Sequence, residues 1–130
     1  SAPAQRPTGF DLVLLGLGED GHTASLFPGS PALDTQGSWV TPATAPASLE
    51  ARGGWRITLT LLCINLAAAV VFVVGGRAKA AAVQQVLRSP GPGARLPAQY
   101  VRPRAGTLHW YLDDDSAALL ERAEEKGVVG

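Results

Sequence analysis

Apolar residues in this chain come in short unbroken runs, separated by glycine- and proline-rich stretches. Residues 10–16 read as a buried strand. Their apolar side chains run together rather than alternating, the pattern of a parallel strand covered on both faces. A glycine-rich loop follows, then at most a turn or two of helix over 23–27, stopped by Pro28. Residues 28–54 carry many Pro, Gly, Ser and Thr, with one strand at 39–44. The β-branched stretch 56–61 reads as a strand, 62–68 as a short helix, and Ala69-Val-Val-Phe-Val-Val74 as the strongest strand of all. Gly75-Gly76 breaks that strand, and 77–88 has good helix formers with apolar residues at Ala82, Val83, Val86 and Leu87. Ser89-Pro-Gly-Pro-Gly93 ends the helix. A short extended piece at 97–101, a last strand at 107–112 and a terminal helix over 113–125, with acids in its first turn, complete the chain. This order predicts an α/β fold with a mainly parallel sheet flanked by helices in a Rossmann-like layered architecture.

Composition narrows the picture. With 130 residues, 46% of them hydrophobic, the chain is expected to form a single α/β domain over 1–130 with a real core. Eleven Lys and Arg balance eleven Asp and Glu. No global field therefore recruits nucleic acid or an anionic membrane, and any bound anion must be held by a few local cations. A single cysteine, Cys63, allows no internal disulfide and no Cys-based zinc site, and fits a reducing, cytoplasmic compartment. No apolar run reaches the roughly 18 residues of a membrane span, and the N-terminus has no signal-peptide core.

The loop after the first strand, Gly16-Leu-Gly-Glu-Asp-Gly-His22, concentrates the chemistry. Its glycines, Gly18 and Gly21 among them, let the backbone approach a ligand closely. It formally matches G-x-G-x-x-G, but a dinucleotide site needs a sizeable helix directly after the loop and an acid about 20 residues on. Pro28 and Gln36 stand against that reading. On the residues alone, His22 is either a solvated or packed histidine or a general base. Asp20, two positions earlier, is placed to orient the ring or raise its basicity. With only His22 and His109 available and no Cys nearby, no metal site is expected. Lys79, near the start of the 77–88 helix, is either a solvated lysine or an anion ligand at a helix N-terminus. Arg56, at the start of its strand, either clamps a phosphate or carboxylate or is a surface charge. Ser25 lacks the nucleophile-elbow context. Asp113 to Asp115 are read as helix N-terminal charge rather than a calcium cluster, and Cys63 as a buried thiol.

The stretch Gly16-Leu-Gly-Glu-Asp-Gly-His-Thr-Ala-Ser-Leu-Phe-Pro-Gly29 resembles the signature of the 6-phosphogluconolactonases of the pentose phosphate pathway. Arg56-Ile-Thr-Leu-Thr-Leu, Ile64-Asn65, Val71-Phe-Val-Val-Gly-Gly-Arg-Ala-Lys79-Ala, Leu96-Pro-Ala-Gln-Tyr-Val-Arg-Pro103 and Gly106-Thr-Leu-His-Trp-Tyr-Leu-Asp113 agree in order. Glucosamine-6-phosphate deaminases share the fold and a similar loop but continue with a Phe-Asn-Glu-Pro type sequence, where this chain has Ser25-Leu-Phe-Pro28. The resemblance implies hydrolysis of 6-phosphoglucono-δ-lactone to 6-phosphogluconate without metal or other cofactor. His22 would be the general base on water, supported by Asp20, and the Gly18 and Gly21 loop would face the substrate. Lys79 would hold the 6-phosphate, with Arg56 as a second cation. A non-catalytic sugar-phosphate-binding fragment and a related sugar-phosphate isomerase or deaminase are the alternatives.

Members of that family are longer, and the matching motifs belong to their C-terminal half. The part without a counterpart here would carry the first strands, a Gly-Gly-Ser/Thr phosphate loop and an Asp-Glu-Arg segment. The chain is therefore expected to be a piece of a longer lactonase domain. Its sheet would have an open edge available for self-association or a complementing chain.

Overall fold

Runs of β-branched and large apolar residues form the centre of the molecule. The computed structural model describes residues 9–46, 54–88 and 95–120. Strands β1 (Leu12–Leu15), β4 (Ala69–Val74) and β5 (Thr107–Leu112) form a parallel sheet in the order β1-β4-β5. Strands β2 (Val40–Ala45) and β3 (Gly54–Leu59) pair antiparallel as a separate hairpin. Helix α1 (Leu61–Asn65) leads into β4, and α2 (Ala80–Arg88) lies on the connection from β4 to β5. The fold is α/β, as the order of elements predicts. α1 starts where Thr60, with its side chain buried, accepts a hydrogen bond from the Cys63 amide at 3.2 Å. Such a cap satisfies one of the helix's free donors.

One face of the sheet carries the core. Val13 and Leu15 of β1, Val70, Phe72 and Val74 of β4, and Trp110 and Leu112 of β5 share it. Phe72 and Trp110 stack with ring centroids 3.9 Å apart, and Ala82 and Val83 of α2, with Leu26, Ile64 and Val101, close the cluster. Cys63 is buried, and burial pushes its thiol up. The chain delivers each strand of this sheet with its C-terminal end on the same side. Both the Gly16–His22 loop and the Gly75–Lys79 turn leave the sheet there. In open α/β sheets that is the side where ligands bind.

Several sequence expectations change. β1 is not covered on both faces: Leu12 is 53% and Leu14 65% exposed. They share a face with Val71 and Val73 of β4 and with His109 and Tyr111 of β5. The unbroken apolar run encodes two buried faces, but the described residues pack on only one. Residues 23–27 form no helix; a tight turn closed by a Thr23–Leu26 bridge takes their place, with Ala24 at φ +51°. Side-chain hydrogen bonds outcompete the helix here, Thr23 Oγ1 donating to Gly16 O and Ser25 N donating to Thr58 Oγ1. The segment expected to be extended, 97–101, is instead a 3₁₀ turn at Pro97–Tyr100, closed by Leu96 N donating to Gln99 Oε1 at 2.7 Å. The helix before it begins with its own 3₁₀ turn, Arg77–Lys79. Residues 113–120 form turns rather than a regular helix, because Ser116 and Asp113 bond to each other and to the strand end. The N-terminal lead 1–8, the helix stop at 89–93 and positions 121–125 of the expected last helix lie outside the described residues. Among the described residues no helix is long and apolar enough to cross a membrane.

Candidate functional site

The loop leaving β1 folds back on itself. Gly18 N donates to His22 O at 2.8 Å, and Gly21 N donates to Gly18 O at 3.0 Å. This closure turns the His22 ring over Gly18. A Cβ at Gly18 would sit 2.0 Å from His22 Nδ1 and 2.1 Å from Cε1, a separation no side chain tolerates. Gly18 is thus required by close approach to the imidazole. Gly21 has φ +84°, packs against Leu96, and its carbonyl accepts from Ala98 N at 3.1 Å. It ties the loop to the Pro97–Tyr100 turn.

Asp20 reaches His22 twice. Its Oδ1 accepts from the His22 backbone amide at 3.0 Å and meets Nδ1 of the ring. A carboxylate against Nδ1 places the proton on that nitrogen, leaving the lone pair of Nε2 free to accept one. Phe27, buried, lies beneath the ring at 4.6 Å between centroids. Together these contacts fix the imidazole's plane and tautomer, the two properties a general base needs.

Partial burial raises the Asp20 carboxyl, but the hydrogen bonds from the His22 ring and amide, with the ring's charge, outweigh it and leave the group below its ordinary value. A carboxylate depressed in the folded state stabilises the fold above its unfolded pKa and loses that contribution as pH falls through the folded value. The loop's Asp20–His22 contact is therefore intact at neutral pH and weakens only below the ordinary value of 3.8. Asp20→Asn is expected to lower the melting temperature at pH 7 and to leave it unchanged once the wild-type carboxyl is protonated. An equal difference at both extremes of a pH series of melts would contradict this.

A cavity of about 350 Å³ opens beside the loop, lined by Gly16, Leu17, Gly18, His22, Thr23, Ala24 and Lys79. Lys79 comes from the turn after β4, as the last residue of the Arg77–Lys79 turn that leads into α2. An imidazole and a lysine thus line one space from two different strand ends. Asp20 stands behind His22 rather than in the lining. Arg56 lies on β3, half-buried opposite Ala43, and does not line this cavity. Leu17, Thr23 and Ala24, which carry no signal of a site in the sequence, also line the cavity; the reversal of the 23–26 turn brings Thr23 and Ala24 there. Among the described residues no three His, Cys, Asp or Glu side chains gather as a metal site.

Comparison with known proteins gives the family. The model of the family described as glucosamine-6-phosphate isomerases/6-phosphogluconolactonase matches residues 1–110. A 6-phosphogluconolactonase of Rattus norvegicus is 43% identical over 117 residues, which cover 90% of this chain and 44% of the relative. The 6-phosphogluconolactonase of Trypanosoma brucei superposes with a TM-score of 0.76 at 33% identity, over 86% of this chain and 43% of that one. That of Leishmania guyanensis gives 0.75 at 30% identity, over 87% and 42%. The chain therefore spans less than half the length of the relatives it matches. By the match along most of its length and the shared fold, this chain belongs to the glucosamine-6-phosphate isomerase/6-phosphogluconolactonase family.

Proposed function

We propose that this chain carries the catalytic loop of a 6-phosphogluconolactonase, hydrolysing 6-phosphoglucono-δ-lactone to 6-phosphogluconate. The observation that supports it most is the shared cavity of His22 and Lys79. In this reading the Lys79 ammonium pairs with the 6-phosphate, and the lactone carbonyl lies near His22 Nε2. His22 takes a proton from water as the water oxygen bonds to the carbonyl carbon. The imidazolium then returns that proton to the ring oxygen as the lactone C–O bond breaks, giving the open-chain acid. No covalent nucleophile is needed, since a lactone is already activated and a positioned base contributes about 10²–10⁴-fold. Holding the substrate at both ends supplies orientation. Gly18 forms part of the wall against which the lactone ring lies, whereas Gly21 stands outside the lining and holds the loop to the Pro97–Tyr100 turn. Arg56 would be a second cation only for a substrate reaching beyond the lining described above. A place in the cytoplasmic pentose phosphate pathway belongs to the same proposal.

The length of the match bears on this reading. The chain spans 44% of the rat relative, and the face bearing Leu12, Leu14, Val71, Val73 and Tyr111 is open along the sheet. Parallel sheets are covered on both faces. We take residues 1–130 as part of a larger lactonase domain, with further chain of the same fold over this face and along the edge of β1 that no other described strand pairs with. Binding without turnover is the second reading, favoured by the same coverage.

Lys79→Ala is expected to raise KM about tenfold or more, the effect of losing a charge-assisted contact, with kcat changed far less. Initial rates over a range of lactone concentrations separate the two constants. An unaltered KM would remove Lys79 from the phosphate site.

A further inference from the structure

Asp113 follows β5 directly, and its carboxylate reaches across to the turn after β4. Both of its oxygens lie 3.1 Å from the Gly76 amide, which donates to them. Oδ1 also accepts from the Ser116 amide at 2.8 Å. Ser116, fully buried, donates its hydroxyl to Val74 O at 2.9 Å, the last carbonyl of β4. The Asp113 amide in turn donates to Ser116 Oγ at 3.1 Å. Asp113 and Ser116 thus lock the ends of two neighbouring strands together on the side of the sheet where the cavity opens.

The turn held in this way is the one that presents Lys79. Gly76 sits at φ 97°, ψ 151°, a conformation open essentially to glycine, and caps the Arg77–Lys79 turn. Its carbonyl accepts from the Lys79 amide at 3.2 Å. One path of hydrogen bonds therefore runs from the carboxylate of Asp113 through the Gly76 peptide to Lys79. Reading Asp113 as simple helix N-terminal charge does not describe this, since residues 113–120 form no regular helix. The hydrogen bonds from Ser116 and Gly76 hold the Asp113 carboxyl below its ordinary range, so it is ionised at neutral pH. Those same amides face its charge, which tempers the repulsion a free carboxylate would exert on an incoming anion.

We propose that Asp113 is a positioning residue that sets the Gly75–Lys79 turn and thereby aims the Lys79 ammonium into the cavity shared with His22. Its ligand consequence rests on the reading of Lys79 as the phosphate contact, but its structural half does not.

Two readouts on this chain test it. Amide hydrogen exchange by NMR is compared for wild type, Asp113→Ala and Asp113→Asn. In Asp113→Ala the Gly76 and Lys79 amides are expected to exchange about tenfold faster or more, as a lost charge-assisted hydrogen bond permits. The Val70 and Phe72 amides should keep their protection. Asp113→Asn, which retains one acceptor oxygen, should recover part of the loss. Titration with 6-phosphogluconate then gives dissociation constants for wild type, Asp113→Ala, Lys79→Ala and the double variant. Asp113→Ala should weaken binding about tenfold, and the double variant should bind no worse than Lys79→Ala alone, because Asp113 acts through Lys79. Unchanged exchange at Gly76 and Lys79 would overturn the proposal, as would additive losses in the double variant. Accelerated exchange in Asp113→Ala, together with a wild-type chain that does not bind 6-phosphogluconate, would uphold the positioning and overturn the substrate instead.

Discussion

His22→Ala is expected to lower lactone turnover about 10²–10⁴-fold, the span ascribed to a positioned general base. Binding of 6-phosphogluconate should be retained. The asymmetry follows from the geometry: the imidazole is oriented by Asp20 and Phe27, whereas the phosphate is assigned to Lys79, which reaches the cavity from a separate turn. Removing the ring deletes the proton acceptor without touching the cation. Initial rates, corrected for spontaneous lactone opening, together with a product titration, distinguish the two effects. Full turnover in the variant would end the assignment of His22 as base. Loss of binding equal to the loss of rate would mean that the ring is a wall of the pocket rather than a base.

Gly18→Ala is expected to be nearly as damaging, although glycine carries no chemistry. The added methyl carbon would lie 2.0 Å from His22 Nδ1 and 2.9 Å from Asp20 Oδ1, in the middle of the pair that fixes the ring. Either the imidazole swings away or the loop opens. A displacement of about 1 Å at a reacting group costs about 10²-fold in rate. Gly18 is not among the positive-φ residues, so its backbone accepts alanine, and the clash falls on the site rather than on the turn. Overpacking of this kind costs about 1–3 kcal/mol, so thermal melts should show a folded but weakened protein whose kcat has collapsed. A variant with native kcat would show that the His22 ring does not occupy this position during turnover.

Legibility in the sequence varied with how local the determining forces are. β4 was readable residue for residue, because six consecutive apolar and mostly β-branched residues leave no other element open. β5 was equally clear. The proximity of Asp20 to His22 follows from their spacing in a glycine loop. What escaped was set by contacts distant in sequence. Thr58 reaches the Ser25 amide and helps hold 23–26 in a turn instead of a helix. Gln99 folds back on Leu96 and curls 97–100. Ser116 bonds to Val74 across the strand ends and breaks the helix that the acids of 113–115 suggest. Hydrophobic pattern also overstated the cover on β1, since a run of apolar residues records the burial of both faces without saying what covers each. Asp113 was legible in principle: a carboxylate directly after a parallel strand lies at the ligand side of the sheet, and only the pairing of β5 beside β4 reveals that it meets Gly76.

The central claim is that one phosphorylated sugar bridges His22 and Lys79, and a crystal structure of this chain with 6-phosphogluconate tests it most directly. The account predicts the phosphate against the Lys79 ammonium and the C1 carboxylate within hydrogen-bonding reach of His22 Nε2. A ligand bound elsewhere, or one whose phosphate lies away from Lys79 while its carboxylate avoids His22, would contradict it.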